Sequence, residues 1–275
     1  MSKLEHLKNS NPQPPPTANV RVEMFIDDLQ DLIRLGFETG VPNGAIASAL
    51  ADEEYNVRVA NQRLRELLAE AVDFKALSSS PIKLFITATN VHTGSGHVFR
   101  NAEITPDVLM ASGCLPTMFQ AVEIDGEFYW DGGYAGNPTM TPLVRDCQSH
   151  DTILVQINPI KRPTVPRTAR DILDRLNEVA FNAPLLKELR MIALLHKVAD
   201  PGHGEGALWA KMRIHRIASD AMLELSATSK MMSEWPFLCE LRDFGRAAAQ
   251  SFLDAHADDL GKTSTLDLDA MLETL

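Results

Sequence analysis

The sequence predicts an α/β protein in which a layered sheet is covered by helices. Three observations favour this fold class. Strand-like and helix-like segments alternate through the middle of the chain, two of the strands are almost entirely apolar, and 45% apolar with 23% charged residues is an ordinary globular composition. Continuous apolar strands are typical of parallel sheets that are buried on both faces. We therefore expect a parallel sheet.

The first predicted elements are helices. Residues 1–20 are rich in Pro, Asn and Gln and are expected to form a disordered lead-in. Apolar residues at helical spacing then predict one helix from Val20 to Gly36, a second over Ala45–Ala60 and a third over Gln62–Val72. The turn Gly40–Gly44 separates the first two helices.

After Pro81 the apolar spacing becomes that of strands. An Asp-Gly pair between two such runs is typical of a tight hairpin turn. The predicted order is a strand at Ile82–Thr89, a short strand near Val98-Phe99, a helix at Pro106–Ser112, a hairpin at Ala121–Trp130 turning at Asp125-Gly126, a helix from near Pro138 and a strand at Thr152–Ile157.

From Arg167 onward the pattern is almost entirely helical. Helices are predicted at Asp171–Phe181, Pro184–Val198, Ala221–Thr228 and Glu234–Ala257, with one strand at Arg213–Ile217. The loop 200–206 has glycines at alternate positions, but no strand leads into it, so we interpret it as a connector and not as a phosphate site. The predicted organisation is a lead-in over 1–20, an α/β core over 21–160, and a mainly helical part over 161–275 packed on the same core.

Charge and cysteine content exclude several classes of function. The 26 Lys and Arg residues against 37 Asp and Glu give a net charge of −11, which works against binding to nucleic acid and to anionic lipid surfaces. The three cysteines are far apart and form no C-x-x-C pair, so we expect reduced thiols and no zinc site. No secretory signal is recognised, which predicts a cytoplasmic location. Neither a metal nor a cofactor is predicted.

The residues with the most chemical information follow the predicted hairpin. Asp131 ends a strand and precedes Gly132 and Gly133, where the backbone can turn sharply and present a carboxylate to a cleft. Asp131 is therefore a candidate general base. The alternative is that its side chain only closes an Asx-type turn.

Several segments in order resemble the patatin-like phospholipase family. They are Ala88–Gly94, with the spacing Ala-Thr-x-x-x-Thr-Gly, the small-residue run Ala111–Phe119, the hairpin, Asp131-Gly132-Gly133 and Asn137-Pro138. Later segments at 156–159, 175–178, 213–217 and 229–230 with 234–235 resemble a bacterial branch of that family. The resemblance implies a patatin-like fold, Asp131 as the catalytic aspartate, lipid acyl hydrolase activity on a lipid or ester substrate, and transient contact with a membrane surface.

One departure from the family pattern concerns the nucleophile. In the family, a serine in a Gly-x-Ser-x-Gly elbow attacks the ester and the aspartate activates it. None of the 15 serines of this chain lies in that pattern, and no run of three glycines is present to form an oxyanion loop. The nearest segment, Gly40–Gly44, has Pro42 at the serine position. The alternative is an ordinary turn in which Asn43 caps a helix.

Three interpretations follow from this departure. The chain is an incomplete hydrolase, a non-catalytic relative that binds acyl chains or a protein partner, or one half of an enzyme whose nucleophile lies on a separate polypeptide. An incomplete core predicts unpaired strand edges, exposed apolar surface and self-association.

Overall fold

A computed structural model describes residues 62–116, 119–199, 204–225, 229, 232 and 234–270. The predicted lead-in, the helices predicted at 20–36 and 45–60, and Pro42 lie outside the described residues. The chain divides into two compact units, one of residues 1–60 and 231–243 and the other of residues 61–230 and 244–275. Both sheets and Asp131 belong to the second unit.

The α/β fold class is confirmed. The helices are α1 at 62–71, α2 at Phe74–Ser78, α3 at Pro106–Ser112, α4 at Thr141–Asp146, α5 at Ala169–Val198, α6 at Glu205–Ala210 and α7 at Trp235–His256. The strands are β1 at Phe85–Asn90, β2 at Gly96–Arg100, β3 at Val122–Ile124, β4 at Glu127–Asp131, β5 at Asp151–Gln156 and β6 at Arg213–Ala218.

The first sheet has four strands in the order β2-β1-β4-β3, and all of its pairs are antiparallel. The expectation of a parallel sheet is wrong for this part of the chain. Only residues 91–95 join β1 to β2, whereas a parallel connection needs a dozen or more residues. The apolar character of β1 instead reflects the packing of α3, whose Val108 and Ala111 lie in one buried cluster with Ala88.

The β3–β4 hairpin is confirmed at the predicted turn. Asp125 and Gly126 have φ values of 52° and 82°, the left-handed conformations that a two-residue hairpin turn requires. Helix α3 is also confirmed with its predicted bounds. The hydroxyl of Thr105 caps it by accepting the N–H of Val108, and Pro106 occupies its first turn, where no N–H is needed.

The second sheet is the parallel pair β5–β6. Within the described residues β5 pairs with β6 alone. Leu154 and Ile214 pack on α5 through Leu185, Leu189 and Ile192. The parallel expectation is therefore correct for these strands.

Helix α5 is one element of 30 residues, so the prediction of two helices on either side of residue 183 is wrong. Pro184 lies inside the helix. Proline removes one intrahelical hydrogen bond, but the apolar side chains that follow it are anchored in the core, and this packing keeps the helix continuous.

Other predicted elements differ in extent. The helix expected from near Pro138 begins at Thr141. The helix expected at Ala221–Thr228 is a short 3-10 helix at Asp220–Leu223 within the described residues. Helices α2 and α6 were not expected, because each has only five or six residues and too few apolar positions to show a period. Within the described part of the chain, no helix is long and apolar enough to cross a membrane.

An ion-pair network holds the start of the parallel pair. Asp151 accepts hydrogen bonds from Arg213 Nε at 2.9 Å and Nη2 at 2.5 Å, and from the backbone N–H of Gly261 at 2.9 Å. The fully buried His215 contacts Asp151 through Nε2 at 3.0 Å and Thr265 through Nδ1 at 3.1 Å. The hydrogen bonds from Arg213, together with those from Gly261 and His215, hold the pKa of Asp151 well below its ordinary range.

We expect Asp151→Asn to lower the free energy of unfolding by about 2 kcal/mol at pH 7, because Arg213 and His215 lose a charged partner. The pKa of Asp151 is lower in the folded chain than in the unfolded chain, so this stabilisation is complete above about pH 4 and is lost as the pH falls below that value. Urea denaturation between pH 3.5 and pH 7 measures both effects.

Glu205→Gln is the matched control for Asp151→Asn, since Glu205 pairs with Arg145 while both side chains are half exposed. We expect it to change stability by less than about 0.5 kcal/mol. Equal effects of the two substitutions would show that the Asp151 network does not stabilise the sheet.

Candidate active site

The backbone of Asp131 is fixed at the end of β4. Asp131 lies opposite Ala88 of β1. Its N–H donates to the carbonyl of Cys114 at 2.8 Å, and its carbonyl accepts the hydroxyl of Thr89 at 2.8 Å. The candidate base is therefore held by β1 on one side and by the residue after the C-cap of α3 on the other.

The carboxylate of Asp131 begins the turn that follows. Its Oδ1 accepts the N–H of Gly133 at 2.7 Å and caps the 3-10 helix Gly132–Tyr134. This contact is the Asx-type turn of the alternative interpretation. It also fixes the side-chain orientation of a half-buried carboxylate, which a base requires as well.

Both glycines of the motif are required by close contacts. A Cβ on Gly132 would lie 1.9 Å from the backbone oxygen of Thr87, and one on Gly133 would lie 2.2 Å from the ring of Phe181. No real Cβ approaches another atom so closely, so any larger residue would push the turn away from β1 or α5. The two glycines thus allow the turn that follows Asp131 to pack between a strand and a helix.

Helix α5 contributes a second set of contacts to this turn. The rings of Phe181 and Tyr134 lie 5.0 Å apart between centroids. The side-chain amide of Asn137 donates to the carbonyl of Phe181 at 3.2 Å. Sequence reasoning missed Phe181, because its position 50 residues after Asp131 gives no local signal.

Glu188 of α5 is a further residue that sequence reasoning missed. It accepts the backbone N–H of Met140, at the N-cap of α4, at 2.7 Å, and burial raises its pKa to about 6. One signal was available in the sequence. Glu188 occurs at helical spacing between Leu185 and Ile192 on the apolar face of α5, where a carboxylate needs a buried partner.

The thiol of Cys114 is a possible nucleophile whose pKa is affected by Asp131. Burial, and to a smaller extent the negative charge of Asp131, raise the pKa of the Cys114 thiol to about 11. Its Sγ contacts the carbonyl of Gln120 at 3.1 Å. The same two causes raise the pKa of Tyr134. Both groups are therefore protonated and neutral at neutral pH, and neither is an activated nucleophile.

The remaining candidates are metal ligands and Pro42. No group of three or more His, Cys, Asp or Glu residues that could hold a metal ion occurs in the described part of the chain. Pro42 lies outside that part, so the geometry described here is that of the candidate base.

Comparison with known protein families identifies the segment that contains Asp131. The model of the patatin-like phospholipase family matches residues 39–144. Over this segment the chain is similar to the patatin-like phospholipase family. The patatin-like segment includes both Gly40–Gly44 and Asp131-Gly132-Gly133. No curated protein matches the chain, and the resemblance of later segments to a bacterial branch stays a prediction.

We expect Gly132→Ala to lower the free energy of unfolding by about 2 kcal/mol or more, because the new methyl group meets the backbone of β1. Gly113→Ala is the matched control, since a Cβ there meets no atom within 4 Å. Chemical denaturation of the two variants beside the unchanged chain measures the difference. Similar stabilities for both variants would show that the turn does not need the close approach to Thr87.

Proposed function

We propose that this chain has the scaffold of a patatin-type lipid acyl hydrolase, in which Asp131 holds the position of the general base. The proposal rests on one observation, the turn at Asp131 that contacts with neighbouring elements hold in place. Its backbone is bound to Cys114 and Thr89, and its glycines touch β1 and α5. A turn that serves only to reverse the chain does not need to be held from several elements.

A patatin-type site uses a pair of residues, a serine as nucleophile and an aspartate as its base. A serine hydroxyl is a weak nucleophile until a neighbouring base removes its proton, and a carboxylate held at a fixed orientation can do so directly. The oxygen of the substrate carbonyl then becomes negative and must meet preset N–H donors. The substrate class that the family suggests is a lipid ester.

We further propose that Pro42 stands at the nucleophile position and that the chain itself does not hydrolyse esters. The match to the family model begins one residue before Gly40, so it includes the Gly-x-Pro-x-Gly spacing. Proline has no hydroxyl and holds φ near −65°, whereas an elbow nucleophile sits on a strained turn. Cys114 is no substitute, because with a pKa of about 11 only about one thiol in ten thousand is ionised at pH 7.

Exposed apolar side chains favour a second candidate function, a non-catalytic relative that binds acyl chains or a protein partner. Ile153, Val155 and Ile157 alternate along and just beyond β5, and each is at least 45% exposed. The third interpretation, a nucleophile supplied by another polypeptide, would use for strand pairing the backbone edge of β5 that has no partner strand within the described residues.

We expect Pro42→Ser to create esterase activity on a short-chain nitrophenyl ester and labelling by a serine-directed phosphonate. Pro42→Ala is the matched control, since it also relieves the proline constraint but adds no hydroxyl. General-base catalysis contributes about 100-fold or more, so Asp131→Asn added to Pro42→Ser should reduce the new activity by at least that factor.

Two results would count against the proposed site. If Pro42→Ser and Pro42→Ala are equally inactive and unlabelled, either residue 42 is not the nucleophile position or the oxyanion loop is missing as well. If Pro42→Ser is active but Asp131→Asn leaves that activity unchanged, Asp131 is not the base.

A further inference from the structure

Helix α5 is anchored differently on the two sides of Pro184. The residues of α5 that belong to the buried apolar core all come after the proline: Leu185, Leu189, Ile192 and Ala193. Before it, Glu178 and Asn182 are the buried side chains among those that the structure describes in this helix, and both are polar. Proline lacks the N–H that would bond to the carbonyl four residues earlier, which weakens the link between the two parts. The first part of α5 therefore depends on polar anchors.

The carboxylate of Glu178 is bound by two arginines. Its Oε1 accepts a hydrogen bond from Arg162 Nη2 at 2.5 Å, and its Oε2 accepts from Arg162 Nε at 3.2 Å and from Arg175 Nη1 at 3.0 Å. Burial raises the pKa of Glu178, but the hydrogen bonds and charges of the two arginines outweigh this effect and hold the pKa below its ordinary value. Glu178 is therefore charged at neutral pH and paired, although its side chain is only 7% exposed.

The polar anchors join α5 to the segments that follow both parallel strands. Arg162 itself lies in the segment after β5, and its Nη2 also donates to the carbonyl of Leu225, beyond the end of β6, at 2.9 Å. The side-chain amide of Asn182 donates to the carbonyl of Pro159, beyond the end of β5, at 2.9 Å. The pair of Glu178 with Arg162 thus fastens the first part of α5 at the carboxyl ends of β5 and β6.

Phe181 belongs to this first part of α5 and lies about one turn after Glu178. Its ring fills the space beside Gly133, where a Cβ would lie 2.2 Å from a ring carbon. The N–H of Gly133 in turn donates to Oδ1 of Asp131 at 2.7 Å. A displacement of Phe181 would therefore disturb the peptide group that orients the carboxylate.

We propose that Glu178 is a positioning residue for the carboxylate of Asp131 and that it acts through Phe181. The pair of Glu178 with Arg162 fixes the first part of α5 on the parallel strands, and the ring of Phe181 transmits this position to the turn. Helix α5 lies outside the segment 39–144 that matches the family model. The inference rests on the proposed function only in naming Asp131 as a base, since the contacts that carry it are structural.

The amide resonance of Gly133 measures the contact with the carboxylate directly. Gly132-Gly133 is the only pair of adjacent glycines in the sequence. Cell-free synthesis of the full chain with glycine labelled with ¹³C at the carbonyl and with ¹⁵N therefore gives a single amide coupled to a labelled carbonyl, that of Gly133. Because this N–H donates to a carboxylate, its resonance in the unchanged chain should move as the carboxylate titrates between about pH 3 and about pH 7.

Glu178→Gln should shift the Gly133 resonance at neutral pH and reduce its movement with pH about twofold or more, because a misaligned N–H bonds the carboxylate weakly. Arg175→Gln is a milder variant that keeps the pair with Arg162, and it should shift the resonance in the same direction by less. In a chain that already carries Phe181→Leu, Glu178→Gln should cause little further shift. Circular dichroism confirms that each variant folds.

The matched control is Asp151→Asn, which breaks a paired carboxylate at the opposite end of β5 and β6 and should leave the Gly133 resonance unchanged while it lowers stability. An unchanged resonance in Glu178→Gln or in Arg175→Gln, an equal shift in Asp151→Asn, or a full effect of Glu178→Gln in the Phe181→Leu chain would overturn the proposal. So would a resonance that does not respond to pH in the unchanged chain. The measurement needs no ester hydrolysis, so an inactive Pro42→Ser chain would leave its result unaffected.

Discussion

The close approach of one turn to two other elements is the constraint on which the candidate site depends. Gly132 lies against the backbone of Thr87 in β1, and Gly133 lies against the ring of Phe181 in α5. These contacts tie the antiparallel sheet to the helix that also covers the parallel pair. Asp131 stands at the start of this turn, so the position of its carboxylate is determined by the packing of both layers. The cost of any Cβ at these positions explains the two glycines without reference to chemistry at the site.

Sequence reasoning was most successful where local contacts decide the structure. The hairpin turn at Asp125-Gly126 and the helix capped by Thr105 follow from backbone preferences of neighbouring residues, and both were predicted with their correct positions. The direction of strand pairing depends on distant segments, and the apolar run of β1 was mistaken for a parallel strand. Pro184 likewise suggested a helix end, because the core contacts that keep α5 continuous cannot be read from the local sequence.

The candidate site was also predicted only in part, because its local motif can be read from the sequence and its distant contacts cannot. The motif Asp131-Gly132-Gly133 could be recognised in the sequence, since two glycines after a strand let the backbone turn sharply and present the preceding carboxylate to a cleft. Its contact with Phe181 could not, because Phe181 follows Asp131 by 50 residues along the chain. Burial then sets the ionisation of the groups around it: Cys114 and Tyr134 are kept neutral, and the pKa of Glu188 is raised to about 6. The Cys114 thiol is therefore not suited to attack.

The central proposal is that Asp131 holds the position of the base of a patatin-type site and that the chain has no nucleophile for it. The most direct test is hydrolysis of a short-chain nitrophenyl ester by the purified 275-residue chain beside Asp131→Asn, with phosphonate labelling of both proteins. The account predicts no hydrolysis above the buffer rate and no labelled serine in either protein. Hydrolysis that disappears in Asp131→Asn, together with a labelled serine in the unchanged chain, would contradict it and would show that one of the 15 serines completes a working dyad.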